Sequence, residues 1–179
     1  FDQALEYASA LGVGMIHVMA GVVSASADHE AYESTFVENL RTAARLAREQ
    51  NIRLMLEPLN TVDMPGYLHS RSSDTRRLIE AIDADNVQMQ FDFYHLQIME
   101  GNLSYGLQRH LDVIGHVQFS SVPGRHEPQH GEVNVPYLFA LLDEIGYTGW
   151  VGCEYRPKTT TLEGLRWGEP YGLRSNNDS

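Results

Sequence analysis

Short apolar, β-branched runs alternate along this chain with longer segments in which apolar residues return at the helical period. That alternation is the pattern of strand-and-helix units around a parallel sheet. It predicts strands at Met15 to Met19, Arg53 to Glu57, Val87 to Asp92, Gly115 to Phe119 and Trp150 to Glu154. Helices are predicted at Phe1 to Leu11, His29 to Gln50, Ser73 to Ile82, Leu103 to Leu111 and Val135 to Ile145. In the second helix Phe36, Leu40, Ala43, Ala44 and Ala47 share one face, while Glu38, Arg41, Arg45 and Arg48 fall mainly on another. Such a helix covers the outside of a sheet. No repeat, low-complexity tract or linker divides the chain, so residues 1–179 are read as one domain, and the polar tail after Tyr171 as a surface extension.

Composition narrows the partners. With 24 acidic residues against 13 basic ones and a formal charge of -11, the chain lacks the positive excess of a binder of nucleic acid or anionic membranes. No apolar run approaches the roughly 18 residues of a spanning helix, and no basic stretch with a signal-like apolar region opens the chain. The single cysteine, Cys153, has no internal partner, which fits a reducing, cytoplasmic setting. A small-molecule partner is expected, with a homo-oligomer left open.

Four of the five strands carry, at or near their C-terminal ends, a polar group with no packing reason to be there. These are Glu57 in Leu-Met-Leu-Glu-Pro, Asp92 in Met-Gln-Phe-Asp-Phe-Tyr-His, Gln118 in His-Val-Gln-Phe and Glu154 in Gly-Cys-Glu-Tyr. In a parallel barrel those ends meet at one mouth, where barrel enzymes place their chemistry. Three carboxylates and an amide in a partly dry site repel one another unless a cation or protons intervene. A divalent metal resolves the conflict, and all-oxygen ligation favours Mg²⁺ or Mn²⁺. His95 could add a nitrogen, which leaves the metal's identity open.

Other candidates are weighed against plainer roles. Arg125, in Pro123 to Pro128, can grip a substrate carboxylate with both arms of its guanidinium. From position alone a surface pairing with Glu127 or Glu132 is equally compatible. His17 is read as a hydrogen-bonded core residue outside the site. Met15, Met19, Met55 and Met89 are read as core filling, and Cys153 as buried on the face opposite Glu154. No glycine-rich fingerprint for a nucleotide cofactor is present.

At these residues the sequence resembles the hydroxypyruvate isomerase family of the xylose-isomerase-like barrels. The matching segments are Leu56-Glu57-Pro58-Leu59-Asn60 with Met64-Pro65-Gly66-Tyr67, then Phe91-Asp92-Phe93-Tyr94-His95, Gly115-His116-Val117-Gln118, Pro123 to Pro128, Gly149 to Pro157 and Thr159 to Trp167. Phe119-Ser120-Ser121 and Gln129-His130-Gly131 depart from the family's usual residues. The resemblance implies a metal ringed by Glu57, Asp92, Gln118 and Glu154, with Glu57 and Glu154 as the acid/base pair and His95 and Arg125 on the substrate. It implies isomerisation of hydroxypyruvate and tartronate semialdehyde through an enediolate, with a 2-oxo-tetronate or related sugar acid as the alternative substrate.

Family barrels have about 250 residues in eight units, so this α/β chain is expected to supply a partial (β/α)₈ TIM barrel, its last five βα units. The opening at Phe1, without an initiator Met and already inside a helical pattern, reads as a cut. An inactive barrel fragment or interaction module is the competing expectation from another class.

Overall fold

A computed structural model describes residues 1–173; the tail expected as a surface extension lies, over 174–179, outside the described residues. Five parallel strands pair in sequence order: β1 (Met15–His17), β2 (Arg53–Leu56), β3 (Val87–Asp92), β4 (Ile114–Phe119) and β5 (Val151–Cys153). Between and before them run α1 (Asp2–Leu11), α2 (His29–Arg48), α3 (Ser72–Ile82), α4 (Phe93–Met99), α5 (Leu103–His110) and α6 (Val135–Glu144). A short α7 (Thr161–Gly164) follows β5. Strands and long helices fall where the periodicity places them, shorter by one or two residues at several ends. The helix α4 was not anticipated. Phe-Tyr-His-Leu-Gln-Ile-Met has no clear amphipathic period, and its start is set by Asp92, whose side chain accepts the Tyr94 N–H.

Side chains of a strand alternate between faces, and here the two faces differ in chemistry. Ile16, Leu54, Leu56, Met89, Phe91, Val117 and Phe119 belong to the apolar core shared with the helices. The stripe of α2 chosen from its period, Phe36, Leu40, Ala44 and Ala47, is buried in the same core. The other parity carries His17, Gln88, Gln90, Asp92, His116 and Gln118. The register sets Asp92 beside Gln118 and Gln90 beside His116, so the polar side chains form adjoining rows. Apolar burial on the helix side therefore places the polar row on the side away from the helices.

Helix ends reinforce this arrangement. Asp28 caps α2 by accepting the N–H groups of Glu30 and Ala31 at 3.0 and 3.2 Å. Glu100 does the same for α3 from a distant loop, accepting from the Ser72 N–H and hydroxyl. Caps of this kind stabilise a helix by about 1 kcal/mol.

At the sheet's edge one expectation fails. Cys153 does alternate to the face opposite Glu154, but it is exposed. Its strand has a partner on one side only, and its neighbours Trp150 and Val151 are also exposed. Alternation fixed the direction of the thiol, while its burial required a covering layer that β5 lacks among the described residues.

Candidate active site

The C-terminal ends of the strands border a cleft of about 750 Å³. His17, Glu57, Gln90, His95, Gln118, Arg125 and Glu154 line it together with Met19, Asp63, Tyr94 and Arg156. Glu57 directly follows β2, Asp92 ends β3, Gln118 is the penultimate residue of β4 and Glu154 directly follows β5. Parallel pairing thus brings four sequence-distant polar residues to one end of the sheet.

Glu57 and Asp92 are the buried pair, 3% and 1% exposed. Asp92 Oδ1 accepts the Tyr94 N–H at 2.9 Å, but Asp92 Oδ2 and Glu57 Oε1 are buried without a hydrogen-bond partner. Burial, reinforced by the Asp92 charge, pushes the Glu57 carboxyl up to about 8. Burial likewise pushes Asp92 up to about 6, against the opposing pull of the Tyr94 N–H and Arg125. Without added positive charge this pair holds protons that ordinary carboxylates would have released.

Arg125 crosses the mouth. Its Nη2 lies 3.2 Å from Glu154 Oε1 and 3.8 Å from Asp92 Oδ2, and its guanidinium stacks over the Tyr94 ring at 4.7 Å. It does not pair with Glu127 or Glu132 as position alone allowed. Its backbone is left-handed, with φ of 51°. Two bonds hold that conformation: its N–H donates to Ser121 O, and its carbonyl accepts from the Arg156 N–H. The loop carrying Arg125 is thereby tied to the segment carrying Glu154. That segment is fastened in turn by Glu127, which accepts the Lys158 N–H, and by a chain from Trp167 through the Tyr155 hydroxyl to Gly164.

His95 occupies the first turn of α4, buried, with Nδ1 3.0 Å from the Asn60 N–H and Nε2 3.8 Å from Asp92 Oδ2. Burial, aided by Arg125, lowers its pKa to about 4 and keeps the imidazole neutral. One atom from each of Glu57, Asp92 and His95 lies within 4.8 Å of the others.

Two readings from sequence are corrected. His17 lines the cleft, with Nε2 3.6 Å from Glu57 Oε2 and no hydrogen-bond partner, rather than sitting satisfied in the core. Its parity on β1 is that of the polar row, the signal that an apolar neighbourhood masked. Met19 is likewise no core filler: it follows the end of β1 and is exposed on the rim. Met55 and Met89 are buried, and Met15 is half-buried. Gln90 was missed altogether. Its Nε2 donates to Gln118 Oε1 at 2.6 Å, and its place two residues before Asp92 on the same strand face was legible.

A description of xylose isomerase-like TIM barrels matches residues 1–171. The chain belongs to that family. Within it, the chain is 48% identical over 169 residues to a 2-oxo-tetronate isomerase of Cupriavidus necator, covering 94% of this chain and 65% of that protein. It is 42% identical over 168 residues to hydroxypyruvate isomerase of Escherichia coli, covering 94% and 65%. A crystal structure described as an AP endonuclease, family 2, from Brucella melitensis superimposes with a TM-score of 0.92 at 45% identity, over 95% of this chain and 66% of the other. The chain thus spans about two thirds of the length of these relatives.

The donor set suits a cation. Glu57 Oε1 and Asp92 Oδ2 are buried, unpartnered oxygens, and with His95 they form a group whose ligand atoms lie close enough to hold a metal ion. Among the described residues no helix is long and apolar enough to cross a membrane.

Proposed function

We propose that this cleft isomerises a short hydroxy-oxo acid, moving a carbonyl between adjacent carbons through an enediolate, with Mg²⁺ or Mn²⁺ held by Glu57, Asp92, Gln118 and Glu154. The observation that carries the reading is the pair of unpartnered buried oxygens on Glu57, which lines the same cleft as Arg125, and on Asp92, whose Oδ2 lies 3.8 Å from the Arg125 guanidinium. An acid substrate explains the arginine, and a cation explains the carboxylates. When bound, the cation supplies positive charge that offsets the negative charge developing on the substrate oxygens.

The residues of the chain divide the remaining work. Arg125, braced on Tyr94, takes the substrate carboxylate and fixes the reacting carbons between Glu57 and Glu154. One glutamate removes the proton from the carbon bearing the hydroxyl. The electron pair of that C–H bond forms the enediol double bond as the carbonyl oxygen gains charge, and His95 donates a hydrogen bond to that oxygen. The second glutamate returns a proton to the former carbonyl carbon, and the proton of the original hydroxyl passes to the former carbonyl oxygen as the new carbonyl forms, so that no proton is gained or lost overall.

A four-carbon 2-oxo-tetronate is the first substrate reading, supported by the 48% identity to the Cupriavidus protein against 42% to the Escherichia hydroxypyruvate isomerase. Hydroxypyruvate is the second and differs by one carbinol carbon. Turnover of the two acids by the chain with Mn²⁺ or Mg²⁺, followed by proton NMR, separates them through kcat/KM. A chain that binds the cation and converts neither supports a noncatalytic module instead.

A further inference from the structure

Asn60 lies three residues beyond Glu57 in Leu-Glu-Pro-Leu-Asn and is fully buried. Its side-chain orientation is fixed on both ends. Oδ1 accepts the N–H groups of Val62 at 3.1 Å and Asp63 at 2.8 Å, closing a turn on the residue's own loop. Nδ2 is left to donate to Asp63 Oδ2 at 3.0 Å and toward His95 Nδ1 at 2.8 Å. The Asn60 backbone N–H also points at His95 Nδ1, at 3.0 Å. Two donors from one residue converge on one ring nitrogen.

We propose that Asn60 is a positioning residue that locks His95 as the Nε2–H tautomer, so that His95 serves the cleft as a hydrogen-bond donor and stands outside the cation's ligand set. A backbone N–H can only donate, so Nδ1 must accept. A ring that accepts at Nδ1 carries its proton on Nε2. Ligation of a cation by Nε2 would need a bare lone pair there and the proton on Nδ1, where it would meet the Asn60 donors. The grouping of His95 with Glu57 and Asp92 within 4.8 Å is therefore a neighbourhood of two oxygen ligands and one donor.

The same residue reaches the substrate clamp. Asp63, held by Asn60, accepts the Tyr94 hydroxyl at 2.8 Å, and the Tyr94 ring carries the Arg125 guanidinium. It also meets the His95 ring edge-on at 5.1 Å. One buried amide thus orients the donor directly and the arginine through two intermediaries.

The role of His95 in turnover rests on the isomerase reading, but the position of its proton does not. Nitrogen NMR of histidine-labelled chain reads that position directly, with the His95 signals identified by their loss in His95→Gln. The expected spectrum shows a protonated Nε2 and an unprotonated Nδ1, and the same pattern after saturation with Mg²⁺. Asn60→Asp puts a carboxylate acceptor where Nδ2 donated. The backbone N–H stays in place and now opposes that carboxylate, so the Nδ1–H form is expected to become detectable beside the Nε2–H form and, where the chain turns over substrate, kcat is expected to fall by at least about 10-fold with a smaller change in KM. An unprotonated Nε2 in the unaltered chain, or a large Nε2 shift on adding Mg²⁺, overturns the proposal even if Asn60→Asp does not fold. A folded Asn60→Asp whose His95 spectrum matches the unaltered chain overturns the part assigned to Asn60. An inactive chain with the expected spectrum refutes the isomerase reading alone.

Discussion

Gln90 Nε2 donates to Gln118 Oε1 across 2.6 Å, joining adjacent strands at the floor of the cleft. The amide oxygen of Gln118 has two lone pairs, so this bond aims the second one and leaves it available. Gln90 also lines the cleft beside Glu57 and opposes the rise in that carboxyl's proton affinity. A single amide therefore steadies one proposed cation ligand and adjoins a second.

Replacing Gln90 by Leu removes that support without removing a ligand. Loss of a residue that orients a metal ligand costs about 10-fold to 100-fold in affinity. Isothermal titration of Gln90→Leu with Mn²⁺ is expected to show at least the lower figure, and affinity equal to that of the unaltered chain would remove Gln90 from the account.

The raised carboxyls give the cation-free protein a defined pH response. Glu57 shifts from an ordinary 4.5 to about 8, so between those values the folded chain holds a proton that the unfolded chain has released. Stability from this group is greatest below 4.5 and falls as pH rises toward 8. Asp92 adds the same trend between 3.8 and about 6. A cation binds the deprotonated form, so its effect runs the other way. The rise in melting temperature on adding Mg²⁺ is expected to be larger at pH 8 than at pH 5.5, and an equal rise at both would contradict the placement of the cation at these carboxylates.

Glu57→Gln separates stability from chemistry. The neutral amide fills the same space without the ionisation cost, so the cation-free variant is expected to melt at or above the unaltered chain at pH 8. Proton transfer to and from carbon should fall by about 10²-fold to 10⁴-fold, the range for loss of a general acid or base. Melting curves and isotope exchange check the two halves independently.

Arg125→Lys keeps the charge but loses the planar fork and the stacking on Tyr94. KM for the acid substrate is expected to rise about 10-fold or more, equivalent to one bidentate charge-assisted contact of about 1.4 kcal/mol. Steady-state kinetics decide it, and an unchanged KM would place the substrate carboxylate elsewhere.

Much of this was legible from the chain. Periodicity places the five strands and the long helices because burial on one face requires it, and strand ends in a parallel sheet converge whatever their spacing in sequence. Glu57, Asp92, Gln118 and Glu154 therefore lie at the same end of the sheet, three of them lining the cleft and Asp92 buried beside it. His17 was misjudged because Met-Ile-His-Val-Met looks apolar as a run, although alternate positions face opposite sides. Asn60 and Tyr94 were passed over as functional residues because their importance lies in contacts across loops. Nothing in Glu-Pro-Leu-Asn announces that its amide meets a ring 35 residues away.

The most direct test of the central claim is solvent deuterium incorporation. The chain, loaded with Mn²⁺ or Mg²⁺, is incubated with 2-oxo-tetronate or hydroxypyruvate in deuterated water, and the carbon beside the carbonyl is followed by NMR. Cation-dependent exchange at that carbon, abolished in Glu154→Gln and by chelation, is the predicted result. Absence of exchange by a folded chain with its cation bound would contradict the assignment of this cleft to enediolate chemistry.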